Sequence, residues 1–212
     1  NGRLLGRITI DDVIDIIRED AEHTMMSMAG LDDEADTFAP VLKSTKQRSV
    51  WLGVNLITAL LAVAVTSLFE GIFEQLAILA VLNSLVPSMG GVAGNQTLTL
   101  VIRGMALGHV GDSNYRALLS KELAIGFVNG LIWALLIASV VAFWKQDLML
   151  GGVIAFAMLM NMTAAGIAGV SIPLMLKRMN IDPALAGTVL LTTITDVVGI
   201  FAFLGTATIL LT

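Results

Sequence analysis

Five stretches of this chain are apolar and long enough to cross a lipid bilayer, and a chain that must place them there has few folds open to it. Such spans need about 20 mainly apolar residues, and with no water to bond the backbone they form helices or closed barrels. The stretches run roughly over residues 49–69, 74–108, 120–144, 149–176 and 184–211. The expectation is an all-α membrane protein with five transmembrane helices, the second of them broken. Composition agrees: 56% of the 212 residues are apolar and 14% charged, and the mean hydropathy is +0.86.

Charge divides the chain. The first 40 residues hold ten acids and three bases, and the remainder holds seven acids and nine bases. An acidic head therefore precedes a nearly neutral membrane body. There is no cysteine, which excludes disulfides and thiolate metal sites. The chain does not begin with Met, and more than 40 residues precede the first span, so no signal peptide is visible. Residues 1–10 read as a strand, with Asp11 as a helix cap. Val13, Ile14, Ile16, Ile17, Ala21, Met25 and Met28 then follow helical spacing through residue 29. One strand and one helix cannot bury a core, so the chain is expected to start inside a larger cytosolic domain. Residues 31–47 read as a connecting, juxtamembrane segment.

Lys43, Lys46, Arg48, Arg103, Arg116, Lys121, Lys177 and Arg178 fall on one side of five spans, and Lys145 alone on the other. The excess of Lys and Arg marks the cytoplasmic side. The N-terminus is expected in the cytosol and the C-terminus outside, in a plasma or inner membrane.

Asp196 is the only Asp, Glu, Lys or Arg in the last span. An ionised group at bilayer depth costs about 3 kcal/mol on insertion scales and normally faces a partner or a water-filled path. Asp196 is therefore read as serving an ion. Thr188, Thr192 and Asp196 are spaced by four and share a helix face. One carboxylate with neutral oxygens suits a hydrated hard cation rather than a dehydrated cage. Thr193 and Thr195 are expected to bond back to their own helix. In the second span, Pro87, Gly90, Gly91 and Gly94 are expected to interrupt the helix and to expose carbonyls beside Asn95. The other reading of Gly90 and Gly94 is close helix packing. Asn55, Asn83, Asn129 and Asn161 are assigned to interhelical hydrogen bonds. Glu70 and Glu74 either gather cations at a mouth or form a solvated loop. Met25, Met26 and Met28 read as core, and His23 alone is no metal site. No phosphate loop, catalytic triad or basic aromatic patch for nucleic acid is present, so neither an enzyme nor a nucleic-acid binder is expected.

The stretches PSMGGVAGNQTLTLVIRGMALG, NMTAAGIAGVSIPLMLKRMNIDPALAG and TTITDVVGIFAFLGTATILL resemble the membrane domain of MgtE-type magnesium channels, as does Arg48-Ser-Val-Trp-Leu52. The opening GRLLGRITIDDVIDIIREDAEHTMMSMAGL resembles the end of that family's second CBS repeat and its connecting helix. The resemblance covers essentially the whole chain. It implies a homodimer with one pore on its axis, lined by the second and fifth spans. It maps a central magnesium site onto Asp196, Asn95, the Gly91 backbone, Thr188 and Thr192. It also maps a regulatory magnesium site onto Asp12, Asp20 and Asp182, with His23 and Thr24 beside them. The domains it implies are 1–30 (end of a CBS domain and start of the connecting helix), 31–47 (connector) and 48–212 (pore). Two departures stand out: Val92 occupies a position the family usually gives to Asn, and His23 and Thr24 replace two usual acids. The second weakens the expectation of gating by cytosolic magnesium. The expected function is a channel for hydrated magnesium. The alternatives are a divalent-cation exchanger coupled to sodium or protons, and a membrane sensor. Coupling usually needs a second titratable group near the midplane, and Asp196 alone stands out there.

Overall fold

The computed structural model describes residues 7–31, 36–111 and 113–211, and every regular element among them is a helix. They are α1 (Ile10–Met28), α2 (Val41–Ser67), α3 (Glu70–Gln75), α4 (Ala77–Leu82), α5 (Leu85–Ala106), α6 (Tyr115–Lys145), α7 (Leu148–Arg178) and α8 (Pro183–Leu211). Five spans result: α2, α4 with α5, α6, α7 and α8. Of the expected strand, residues 1–6 lie outside the described residues, and Arg7 to Thr9 form no strand. The cap of α1 is Thr9, not Asp11: Thr9 has extended backbone, and Asp12 reaches back to accept from the Thr9 N–H and hydroxyl, each at 2.8 Å. Part of the expected connector is helical, since α2 begins at Val41 and runs unbroken into the first span.

The second span is broken, but not at its glycines. The gap falls at Asn83–Ser84, between α4 and α5. Pro87 explains the position, because a proline has no N–H to give the carbonyl four residues earlier, which is that of Asn83, and its ring crowds that carbonyl. Pro87 itself lies in the first turn of α5, where amides have no helical partner in any case. Gly90, Gly91 and Gly94 lie inside continuous helix.

Contacts at glycines fix the helix directions. A β-carbon on Gly90 would meet the Asn161 side chain, and one on Gly169 would meet Thr97, so α5 and α7 run parallel. Gly126 faces Met162 and Gly166 faces Glu122, so α6 and α7 run antiparallel. Gly94 faces Leu191 and Gly187 faces Leu98, so α5 and α8 are antiparallel too. The end of α5, start of α6, end of α7 and start of α8 thus share one end of the bundle, and the start of α2 joins them, since Trp51 lines a pocket with Asp182 and Leu185. That end carries every Lys and Arg from Lys43 onward except Lys145. α7 is the central helix: Val153, Ile154, Ala157, Ala165 and Val170 are 0% exposed. α2 lies at the edge and has no fully buried residue.

Candidate functional site

The second and fifth spans meet along a seam with a readable register. Gly91 lies opposite Thr195, Gly94 opposite Leu191, and Leu98 opposite Gly187. In two antiparallel right-handed helices, the residues one place after the seam residues turn toward the same side. On α8 these are Asp196, Thr192 and Thr188. On α5 they are Val92, Asn95 and Thr99. The register sets Val92 level with Asp196, Asn95 with Thr192, and Thr99 with Thr188, with levels about 5–6 Å apart. The expected residues Asp196, Asn95, Thr188 and Thr192 therefore share one side of one seam, with Gly91 at its edge. Thr99 joins them, although the sequence reading passed over it. Spacing alone identified the α8 column; the α5 partners needed the register.

Along α5, Val92, Asn95, Gln96, Thr99 and Leu100 line an open concave face of about 720 Å³. Val92 is 56% exposed, so at the level of Asp196 the α5 wall is an uncovered isopropyl group. Asp196 sits near the midpoint of the 29-residue α8 and is half-buried. Among the described residues no hydrogen bond or ion pair reaches its carboxylate. The threonines around it bond as helical threonines do: Thr193 donates to Val189 O at 2.8 Å, and Thr195 to Leu191 O at 3.1 Å and Thr192 O at 3.0 Å. Thr192 does the same, donating to Thr188 O at 2.9 Å. Its proton is thus committed, but its oxygen lone pairs remain open to a water in an ion's shell. Gly91 offers no unbonded carbonyl of the kind expected from a broken helix.

The glycines sort by contact. A β-carbon on Gly90 would overlap the Asn161 side chain, and one on Gly94 would lie 2.9 Å from a Leu191 methyl, so both serve close packing. Gly91 is different, with nothing nearer than Thr195 Oγ1 at 3.8 Å. Asn161 is fully buried and donates to Val86 O across helices at 2.8 Å, as expected of it. Asn55 instead bonds within its own helix, to Trp51 O at 2.9 Å.

At the basic end, the three acids of the expected regulatory site do not converge. Asp12 is engaged at the start of α1, where the Thr9 backbone N–H and then its hydroxyl hold the carboxyl below the usual carboxylate range. Asp182 precedes α8 and accepts from Ala184 N at 2.9 Å, while its other oxygen lies 3.5 Å from His23 Nε2. Asp12 lies eleven residues from His23 along α1, about 16 Å. Asp20 is one turn from His23, and Thr24 donates to its backbone carbonyl at 3.0 Å. Among the described residues no three His, Cys, Asp or Glu side chains are grouped to hold a metal.

One ionisable residue escaped the sequence reading. Glu122, in the second turn of α6, is 5% exposed and accepts from Thr97 Oγ1 at 3.1 Å. Its neighbour Lys121 makes the pair look like an ordinary wet flank of a span.

The fold defines a multi-pass helical membrane protein, with a lone carboxylate midway along α8 on the same side of the seam as several neutral oxygens. A family model described as MgtE, divalent cation transporter, matches residues 83–206. The chain is 35% identical over 204 residues to a protein named magnesium transporter MgtE from Enterococcus faecalis, covering 96% of this chain and 45% of that one. It is 31% identical over 210 residues to the protein of that name from Bacillus subtilis, covering 98% and 46%. For the Thermus thermophilus protein the figures are 29% over 212 residues, 99% and 47%. The chain belongs to the MgtE family of divalent cation transporters, a family of transporters rather than enzymes. It spans less than half the length of each of these relatives.

Proposed function

We propose that this chain supplies one half of a pore for hydrated magnesium, completed by a second copy across an axis beside the α5–α8 seam. The observation that carries this reading is the Asp196 carboxylate, half-buried at mid-span without a protein partner, on the same side of the seam as Thr192, Thr188 and Asn95. Magnesium takes six oxygen ligands and sheds its waters reluctantly. One carboxylate per chain, with hydroxyl and amide oxygens a turn away, suits an ion held through its water shell. The relatives' names supply the ion. The basic end faces the cytosol, which leaves the C-terminus outside. Residues 1–30 correspond to the end of a cytosolic CBS domain, 31–47 to a connector and 48–212 to the pore.

Asp12, Asp20 and Asp182 are the proposed remnants of the regulatory magnesium site. With His23 on Asp182 and Asp12 engaged in a cap, closure by cytosolic magnesium is weaker than in relatives that carry acids at positions 23 and 24. Restoring them as His23→Glu with Thr24→Asp is expected to lower the magnesium concentration that closes the channel by roughly tenfold, for two exposed charge pairs of about 1 kcal/mol each. Patch-clamp open probability reads this, and an unchanged closing concentration sinks the assignment. The reading against which the channel is tested is an exchanger coupled to sodium or protons, for which Glu122 supplies a second buried ionisable group. Magnesium currents with neither gradient present support the channel, and flux that requires a gradient supports the exchanger.

A further inference from the structure

Glu122 belongs to no part of the proposed pore or regulatory site. Its buried carboxylate has thin protein support: Thr97 donates to Oε2 at 3.1 Å, and Lys121 Nζ stands 3.9 Å from Oε1 on a side chain that is 69% exposed. An ammonium that distant and wet offsets little of the cost of holding a carboxylate away from water. The carboxylate borders a cavity of about 150 Å³ between α5, α6 and α7. The other polar groups lining it are Gln96 and Thr97 from α5 and Lys121 and Asn129 from α6, while α7 contributes the uncharged Met162 and Gly166. The walls cannot spread easily, because a β-carbon on Gly166 would come 2.8 Å from the Glu122 carbonyl and one on Gly126 2.8 Å from that of Met162.

We infer that this cavity binds one monovalent cation, held by Glu122 with Thr97, Gln96 and Asn129 as neutral oxygens. Charge selects the class. One buried carboxylate is neutralised by one unit of charge, and a divalent ion would leave a net positive charge in a cavity whose lining holds no second acid among the described residues. A partly dehydrated sodium or potassium ion supplies that single charge, whereas magnesium gives up its waters reluctantly. Gln96 and Leu100 line both this cavity and the concave face beside Asn95, so occupancy would be felt at the pore wall.

The test is thermal unfolding of the purified protein at saturating magnesium, in sodium, potassium or choline chloride of equal ionic strength, at pH 8. At pH 8, sodium or potassium is expected to raise the midpoint by about 3 °C over choline. That gain should vanish in Glu122→Gln and in Asn129→Leu, which keeps the Glu122–Thr97 bond and carries the test alone if the first variant does not fold. The gain should survive in Asp196→Asn, which separates this site from the pore reading. If the wild type and both cavity variants respond alike to all three salts, Glu122 is only a clamp between α5 and α6 and the inference falls.

Discussion

A β-carbon at Gly90 would overlap the Asn161 side chain, whereas one at Gly91 would find nothing nearer than 3.8 Å. Two neighbouring glycines therefore answer the same substitution differently. Gly90→Ala must displace Asn161 and break its bond to Val86 O, and should cost about 2–4 kcal/mol from overpacking and a stranded buried amide. Gly91→Ala should leave stability within about 0.5 kcal/mol. Unfolding midpoints in detergent distinguish the two, and equal losses would contradict the assignment of Gly90 to packing and Gly91 to the seam. Asp12 gives a pH test at the same scale. Its folded pKa lies below the unfolded value because the Thr9 N–H and hydroxyl favour the ionised form. Its contribution is thus complete above the ordinary Asp pKa of about 3.9 and is lost as pH falls through the lower folded value. The Thr9 amide should keep its hydrogen-exchange protection down to about pH 4 and lose it below, and loss already near pH 6 would argue against the cap.

The junction between α1 and α2 depends on one turn. Gly30 closes α1 with φ +68°, its N–H donating to Ser27 O at 2.9 Å and that of Leu31 to Met26 O at 3.0 Å. The Trp51 indole packs on its α-carbon, where a β-carbon would overlap the ring. Gly30→Ala meets both the left-handed backbone and the indole, so it should release Trp51 at a cost of about 1–3 kcal/mol. In a Trp133→Phe, Trp144→Phe background, a red-shifted Trp51 emission is expected, and an unshifted spectrum would show that the contact is dispensable. The spans themselves were legible in the sequence because twenty or more apolar residues in a row leave the backbone little choice. Residues 149–176 and 184–211 were expected to be helical, and α7 and α8 run Leu148–Arg178 and Pro183–Leu211. The break in the second span was placed too late: a proline disrupts the turn before it, while Gly90 and Gly94 hold their helix through packing that only tertiary contacts reveal. The α8 half of the seam followed from i, i+4 spacing. Its α5 half, and buried Glu122, did not, because each depends on which helix lies alongside.

At the scale of the molecule, one chain leaves α2 with no fully buried residue and the α5 stripe from Val92 to Leu100 open. A second copy across the seam would cover that stripe. The chain has no cysteine, so single replacements report cleanly. Val92→Cys and Thr99→Cys should be joined into dimers in membranes by a bis-maleimide long enough to span the pore, while Leu135→Cys, 61% exposed on α6, should not. A reversed pattern would move the axis to another face. The central claim is that the Asp196 charge serves the passing ion, and magnesium flux into liposomes by Asp196→Asn tests it most directly. The substitution keeps the side chain's size and removes one charge per chain, so flux should fall at least tenfold, equivalent to about 1.4 kcal/mol or more, while the protein still assembles as the wild type does. Undiminished magnesium flux through a well-folded Asp196→Asn protein would contradict the account.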